Sequence, residues 1–245
     1  MRIGTSGWSY PHWRGSFYPN DLPVDEWLGW YAERFDTVEI NNSFYHLPNR
    51  VTFSSWRSQT PQGFIFSVKA SRYITHLKKL RDAGNALTTL LSRAEGLQDK
   101  LGPILFQLPP RWRCNHQRLK DFLGSLPRDF SYAFEFRDPS WFNERTYALL
   151  DEYEAAHCLY HMGQDASPRR IAGPFAYVRL HGPQPYYTGD YDGRTLRGWA
   201  RTMQNWSDEG REVYLYFDND DAGYAALDAA RIKDMLQDVA QAESG

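Results

Sequence analysis

Cys114 and Cys158 are the only two cysteines in 245 residues. They stand in no C-x-x-C pair or Cys/His ligand run, so neither a disulfide framework nor a structural zinc site is expected. Net charge is missing too: −2 with histidine neutral, which offers no global basic field for nucleic acid. A local basic patch stays open. No stretch approaches the ~18 apolar residues of a membrane span, and Met1-Arg2-Ile3-Gly4-Thr5 moves into a strand without an apolar leader. Nucleotide cradles of the G-x-G-x-x-G or P-loop type follow no predicted strand. H-x-H and H-E-x-x-H are absent. The expectations from these gaps are a reducing cytoplasm, no membrane association, no protein partner, no cofactor and no metal.

Aromatic residues are abundant, at 16% of the chain. Many fall in segments that read as loops, where they either stack on sugars or bases or fill a large core. Five apolar segments finish in polar residues: 37–41, 65–69, 132–137, 176–181 and 214–219. In the first four the polar residues keep one parity. Side chains alternate faces along a strand, so that parity points one way. Further strands are predicted at 2–5, 103–108 and 158–162. Between them, helical spacing recurs at Trp27, Trp30, Tyr31 and Phe35, over 50–58, at Leu87, Leu90 and Leu91, at Leu119, Phe122 and Leu123, and over 196–208 and 221–239. Asp138-Pro139 is a helix start. The segment after strand six contains Pro168 and has weak periodicity, so its helix is short or missing.

Alternating short apolar strands and helices imply a parallel sheet. Eight such units, in a chain close to the usual length of roughly 250 residues, predict one (β/α)8 TIM-type barrel over residues 1–245 rather than an open sheet. Active sites of such barrels lie where strands end, which is where the polar residues gather.

Several motifs resemble a known family. Gly4-Thr5-Ser6-Gly7-Trp8-Ser9-Tyr10, Val38-Glu39-Ile40-Asn41-Asn42-Ser43-Phe44-Tyr45, Phe66-Ser67-Val68-Lys69-Ala70 and Phe106-Gln107-Leu108-Pro109-Pro110 are similar to the YecE-like proteins, a domain of unknown function. Phe134-Glu135-Phe136-Arg137-Asp138-Pro139-Ser140-Trp141, Val178-Arg179-Leu180-His181-Gly182 and Tyr216-Phe217-Asp218-Asn219-Asp220 continue the match. The resemblance covers nearly the whole chain. It implies a TIM-type barrel and carries no established reaction. The likeness of that barrel to endonuclease IV and the xylose isomerases is one of fold, and transfers no catalytic residue.

Glu39 and Glu135 form the leading carboxylate pair. A barrel with strands ~4.8 Å apart places strands two and five roughly 14 Å apart, leaving about 6 Å between two inward glutamates. That gap suits an acid/base or nucleophile pair at a glycosidic or similar bond. The alternative is a lumen filled by ion pairs. Lys69, Arg137 and Arg179 are the cations of the same rim and outnumber those carboxylates, which favours an anionic ligand. Lys69 either pairs with Glu39 or, if desolvated, acts as a Schiff-base nucleophile, the less favoured reading. His181, before Gly182-Pro183, is the acid/base candidate. His12, His46 and His76 reach the same face. Asn41, Gln107 and Asn219 add polar contacts at strand ends, and Trp8, Tyr45 and Trp141, with Tyr10, Trp13, Tyr186 and Tyr187, a stacking floor. Glu39, Glu135, His181 and Asp218 also suit a single Mg²⁺ or Mn²⁺, the less favoured alternative. Asp218, Asp220 and Asp221 are expected to cap the last helix.

The expected function is a hydrolase or lyase acting on a phosphate-bearing sugar or nucleic-acid-like anion. Glu39, Glu135 and His181 would be catalytic, with the cations holding substrate. Two alternatives stay open: a glycosidase-like enzyme on a neutral sugar, and a nucleic-acid-binding module without catalysis.

Overall fold

The structure, a computed structural model, describes residues 1–184 and 187–242. Eight parallel strands form the barrel: β1 (Arg2–Thr5), β2 (Thr37–Ile40), β3 (Ile65–Lys69), β4 (Leu101–Gln107), β5 (Tyr132–Glu135), β6 (Ala155–Met162), β7 (Ala176–Leu180) and β8 (Val213–Phe217). Each pairs with the next from β2 to β8, and β8 pairs with β1. The remaining seam, between β1 and β2, has no regular ladder. Tyr31 bridges it: Thr5 N donates to the tyrosine hydroxyl at 2.8 Å, and the hydroxyl donates to Thr37 O at 3.0 Å. Gly7 N donates to Glu39 O at 2.8 Å just above. Gly4 is required at this seam, because a Cβ there would stand 2.1 Å from Thr37 O.

The helices are α1 (Trp27–Ala32), α2 (Arg50–Ser58), α3 (Gly84–Ala94), α4 (His116–Ser125), α5 (Glu144–Glu152), α6 (Gly193–Asp208) and α7 (Tyr224–Ala242). Side-chain caps start four of them: Asn49, Asn115, Asn143 and Asp192 accept from Thr52, Arg118, Thr146 and Thr195 N–H groups. Each such cap is worth about 1 kcal/mol. Between β6 and β7, 13 residues apart, there is no helix, only a two-residue strand, Asp165–Ala166, antiparallel to β6. Among the described residues no helix is long and apolar enough to cross a membrane.

Strand alternation divides the core. One face of each strand packs on the helices, through residues such as Val38, Phe66, Phe106, Phe134, Val178 and Leu215. The other face fills the lumen with Leu105, Ala133, Cys158, Tyr177, Tyr214 and Tyr216. Tyr216 hydroxyl meets Thr37 Oγ1 at 2.7 Å and Ser67 Oγ at 2.8 Å, so this polar layer is satisfied without water.

Several boundaries, those of β4 and α6 among them, depart from expectation, and at β6 and α7 the reasons are visible. β6 begins at Ala155 rather than Cys158, since Ala155, Ala156 and His157 are small or paired enough to be buried; His157 Nδ1 lies 2.8 Å from Arg170 O. α7 begins at Tyr224, and among the described residues Asp218 and Asp220 spend their carboxylates elsewhere rather than on its first turn. Asp218 turns into the barrel, while Asp220 accepts from the Trp13 indole at 2.5 Å. Asp138 does accept from Ser140 N at 3.0 Å, but it opens only the short turn Pro139–Trp141.

Candidate functional site

Glu39, Glu135, Arg179 and Asp218 meet at the C-terminal end of the lumen, one layer above the tyrosines. Arg179 lies at the centre and is fully buried. Its Nη2 reaches Glu39 Oε1 at 2.8 Å and Asp218 Oδ2 at 2.9 Å, and its Nη1 reaches Glu135 Oε2 at 2.9 Å. Its Nε adds a second bond to Glu39 Oε1 at 3.1 Å. Ser6 and Tyr177 donate to the remaining Glu39 sites, Tyr177 at 2.7 Å. The open gap expected between the two glutamates is therefore absent, because the guanidinium fills it. Arg179 likewise has no face left for a ligand.

The expected excess of cations is absent as well. Asp218 joins the two glutamates, so three carboxylates face Arg179, Arg137 and Lys69. Arg137 and Arg179 outweigh the desolvation of Glu135 and hold its carboxyl well below the usual range. Arg179 lowers the Asp218 pKa against the effect of burial. Glu135 is thus an ionised acceptor near neutral pH and a poor proton donor.

Arg137 bonds to Glu135 through Nε and to His181 Nε2 through Nη2, the latter at 2.7 Å. An arginine only donates, so His181 Nε2 must accept. That assigns its proton to Nδ1, which lies 3.0 Å from Asp218 Oδ2, at ion-pair distance but outside hydrogen-bond alignment. His181 is therefore the neutral tautomer oriented by Asp218 on one side and Arg137 on the other. Among the described residues the third nitrogen of Arg137 meets only Met162 Sδ, a weak acceptor, at 3.5 Å. The guanidinium stacks 4.3 Å from the Tyr160 ring centre. It lines a cavity of about 450 Å³ with Gln107, Tyr160, Gln164 and Tyr187.

Lys69, at the end of β3, is buried; its carbonyl accepts from Ser43 Oγ at 2.6 Å, but its ammonium makes no ion pair or hydrogen bond among the described residues. The expected bridge to Glu39 does not form, because Arg179 already occupies that carboxylate. The ammonium lies 4.6 Å from the Phe44 ring centre. Burial, followed by Arg179, lowers its pKa to about 8.

Of the other expected residues, Asn41 and Trp8 line a second cavity of about 390 Å³ with Tyr10, Asn42, Trp56 and Gln59. Tyr45 is 66% exposed on the same face. Trp141 is instead a core residue: it is fully buried, stacks on Phe136 at 4.9 Å and donates to Trp112 O at 2.7 Å. Asn219 ties the last loop together, donating to Gly189 O and Asp228 Oδ2, each at 2.8 Å. Trp13 is buried beneath the first loop, and Tyr186 lies outside the described residues. His12 bonds to Asp220 O, His46 is exposed, and His76 packs on Phe44. The residues missed by sequence reasoning are Ser6, Tyr160 and Tyr177. Tyr177 had a readable signal, since it shares the parity of Arg179 and His181. Among the described residues no group of three His, Cys, Asp or Glu side chains gathers as a metal site would need. The carboxylates converge on a guanidinium instead.

Comparison with known proteins agrees with this architecture. A family model described as protein of unknown function DUF72 matches residues 2–244. The UPF0759 protein YecE of Escherichia coli K12 is 34% identical over 141 residues, which are 57% of this chain and 49% of that protein, so the match spans about half of that relative's length. The UPF0759 protein YunF of Bacillus subtilis is 25% identical over 96% of this chain and 94% of its own. A solved DUF72 family protein of Thermotoga maritima, TM1631, superposes with a TM-score of 0.87 at 27% identity, covering 96% of this chain and 98% of that one. At 8% identity and a TM-score of 0.61, SacUVDE shares the fold alone.

Proposed function

The chain belongs to the DUF72 family, and on that premise we propose that it is an enzyme whose rim binds an anionic ligand through Arg137 and Lys69. The observation that carries this reading is that, among the described residues, these are the two cationic heads near the lumen with donors to spare. Arg137 keeps one nitrogen on only a thioether among the described residues, at the wall of a cavity large enough for a sugar phosphate or mononucleotide. Lys69 keeps its whole ammonium, with no acceptor among the described residues. A phosphate or carboxylate would satisfy both.

Proton transfer falls to Lys69, whose pKa of about 8 lets it exchange protons near neutrality, with His181 as a neutral, oriented partner. Glu39 and Glu135 become the acceptors that hold Arg179 and Arg137 in place. The chemistry remains of hydrolase or lyase type, in a reducing cytoplasm where Cys114 and Cys158 stay as free thiols. A glycosidase-like reading loses support, because no bond or water fits between carboxylates that already share a guanidinium.

The test is a thermal-shift panel of inorganic phosphate, sugar phosphates, mononucleotides and neutral sugars. A ligand at about 100 times its Kd adds about 2.7 kcal/mol of stability. Anionic ligands should stabilise the parent protein and lose that effect in Arg137→Gln and Lys69→Met. Stabilisation by a neutral sugar that survives both substitutions would overturn the proposal.

A further inference from the structure

The loop that leaves β3, and the loop that leaves β4 with the first turn of α4, hold charge that the lumen site does not use. Residues 71–82 and 109–118 carry seven of the chain's 28 lysines and arginines and one of its 30 acids. The cations are Arg72, Lys78, Lys79, Arg81, Arg111, Arg113 and Arg118. Among the described residues only Arg81 has an ion-pair partner, Asp82 at 4.0 Å, with both side chains exposed. In a chain with more acids than bases, leaving like charges unpaired on neighbouring loops costs self-repulsion that a purely structural surface has no reason to keep.

These loops are anchored. Ile74, Leu80 and Ala83 are buried in the core, and Lys78 N and Leu80 N bond back to Tyr73 O and Ile74 O at 2.9 Å. Arg118 Nη1 reaches Lys79 O at 3.5 Å, which ties the second loop to the first. The cations are therefore displayed on a fixed frame beside the barrel mouth. Exposed aromatic side chains lie on the same face: Tyr73 is 45% exposed within the first loop, and Tyr45 sits on the neighbouring loop after β2. Phe44 connects this surface to the lumen, since its ring meets both Lys69 and His76. The field is felt there: burial, Lys69 and Arg72 lower the His76 pKa to about 4.

Anchored cations interleaved with exposed rings are the chemistry of a single-stranded nucleic-acid surface: charge for the phosphates, rings for unpaired bases. We infer that the loops 71–82 and 109–118 bind single-stranded nucleic acid across the C-terminal face of the barrel. A duplex hides the base faces that Tyr45 and Tyr73 would take, so a single strand fits better. None of the seven cations touches the Glu39–Arg179–Glu135 cluster, and the inference stands without the small-ligand reading.

The probe is a fluorescein-labelled oligothymidylate of about 20 nucleotides, followed by anisotropy as salt rises from about 50 to about 200 mM. Seven phosphate contacts predict a slope of log K on log salt of about −5, falling to about −2 when Arg72, Lys79, Arg111 and Arg113 are replaced by Gln. The pair Tyr45→Ala and Tyr73→Ala should weaken binding at least about fivefold. A matched duplex should bind more weakly, and polyglutamate should compete poorly. Arg137→Gln should leave the slope unchanged while removing small-anion binding, which separates the two proposals. The inference is overturned by an unchanged slope in the four-fold Gln variant, by equal binding of duplex and strand, or by polyglutamate competing as well as the strand.

Discussion

Replacing Arg179 with Met removes the group on which the lumen's charges close. Arg179 is fully buried, and it contacts Glu39, Glu135 and Asp218 within 3.1 Å. Glu135 keeps Arg137 after the change, but Asp218 is left beside the neutral His181 and Glu39 with the neutral hydroxyls of Ser6 and Tyr177. Removing one partner from a buried ion pair costs about 3–5 kcal/mol, since the other charge stays buried without compensation. At ~2–4 °C per kcal/mol for a chain of this size, Tm should fall by about 6–20 °C at neutral pH. The pH dependence provides the sharper check. In the parent, Glu135 and Asp218 have folded-state pKa values below their usual ones, so their contribution is present above pH ~4.5 and is lost as pH falls through the folded values. In the variant, buried carboxylates without a cation bind protons more readily than in the unfolded chain, so its stability rises as pH falls. The Tm gap between the two should narrow from pH ~7 to pH ~5 in a differential scanning experiment. Adding Glu39→Gln to Arg179→Met should recover part of the loss, because an amide needs no counter-charge. A fall of less than about 2 °C, or a gap that widens on acidification, would refute the buried-network reasoning.

Lys69→Met should stabilise the protein. The lysine pKa falls from 10.5 to about 8 on folding, equivalent to about 3 kcal/mol. The unfolded chain binds the extra proton between those values, so the gain is full below pH ~8 and vanishes as pH rises toward ~10.5. A Tm-against-pH series for both proteins checks this, and a destabilised Met variant at pH 7 would contradict it. Trp141→Ala should cost about 3–5 kcal/mol in urea unfolding, as for a core tryptophan, while saturating ligand binding stays intact. Loss of binding without loss of stability would return Trp141 to the rim. Cys158 should resist thiol reagents until denaturant is added, because burial and Glu135 push its thiol pKa well up. Rapid native labelling at Cys158, located by peptide mapping, would contradict the closed lumen.

The barrel was legible because each strand is buried on both faces, with an unbroken apolar face toward the helices, and that burial leaves a short run few alternatives. Arg2–Thr5 and Arg50–Ser58 match the predicted elements to the residue. The position of the site was legible through parity: Glu39, Lys69, Glu135, Arg137, Arg179 and His181 share the face that leads into the lumen. Its charge balance was not. In β8 the order Tyr214-Leu215-Tyr216-Phe217 is apolar on both parities, so nothing local marks Asp218 as inward. Only the contact of Tyr216 with Thr37 and Ser67 reveals which parity faces the lumen, and with it the third carboxylate. The basic loops escaped notice for a related reason. A net charge averages over the chain, whereas a binding surface depends on which residues the fold brings to one face.

The position of Arg179 decides how Glu135→Gln must be read. Loss of turnover in that variant looks like proof of a catalytic carboxylate, yet the same change strips Arg137 and Arg179 of a shared counter-charge and loosens His181 through Arg137. A structural and a catalytic role therefore predict the same loss of rate. They differ in the fold: a positioning Glu135 predicts a Tm fall of several degrees and a weaker grip on anions, with the pH profile following Lys69 in both proteins. A catalytic Glu135 predicts unchanged anion binding and loss of an acidic limb from the rate profile. Measuring Tm, anion affinity and pH profile together separates the two. The closed ion network favours the first, since a carboxylate held ionised by two buried guanidinium groups has no proton to give.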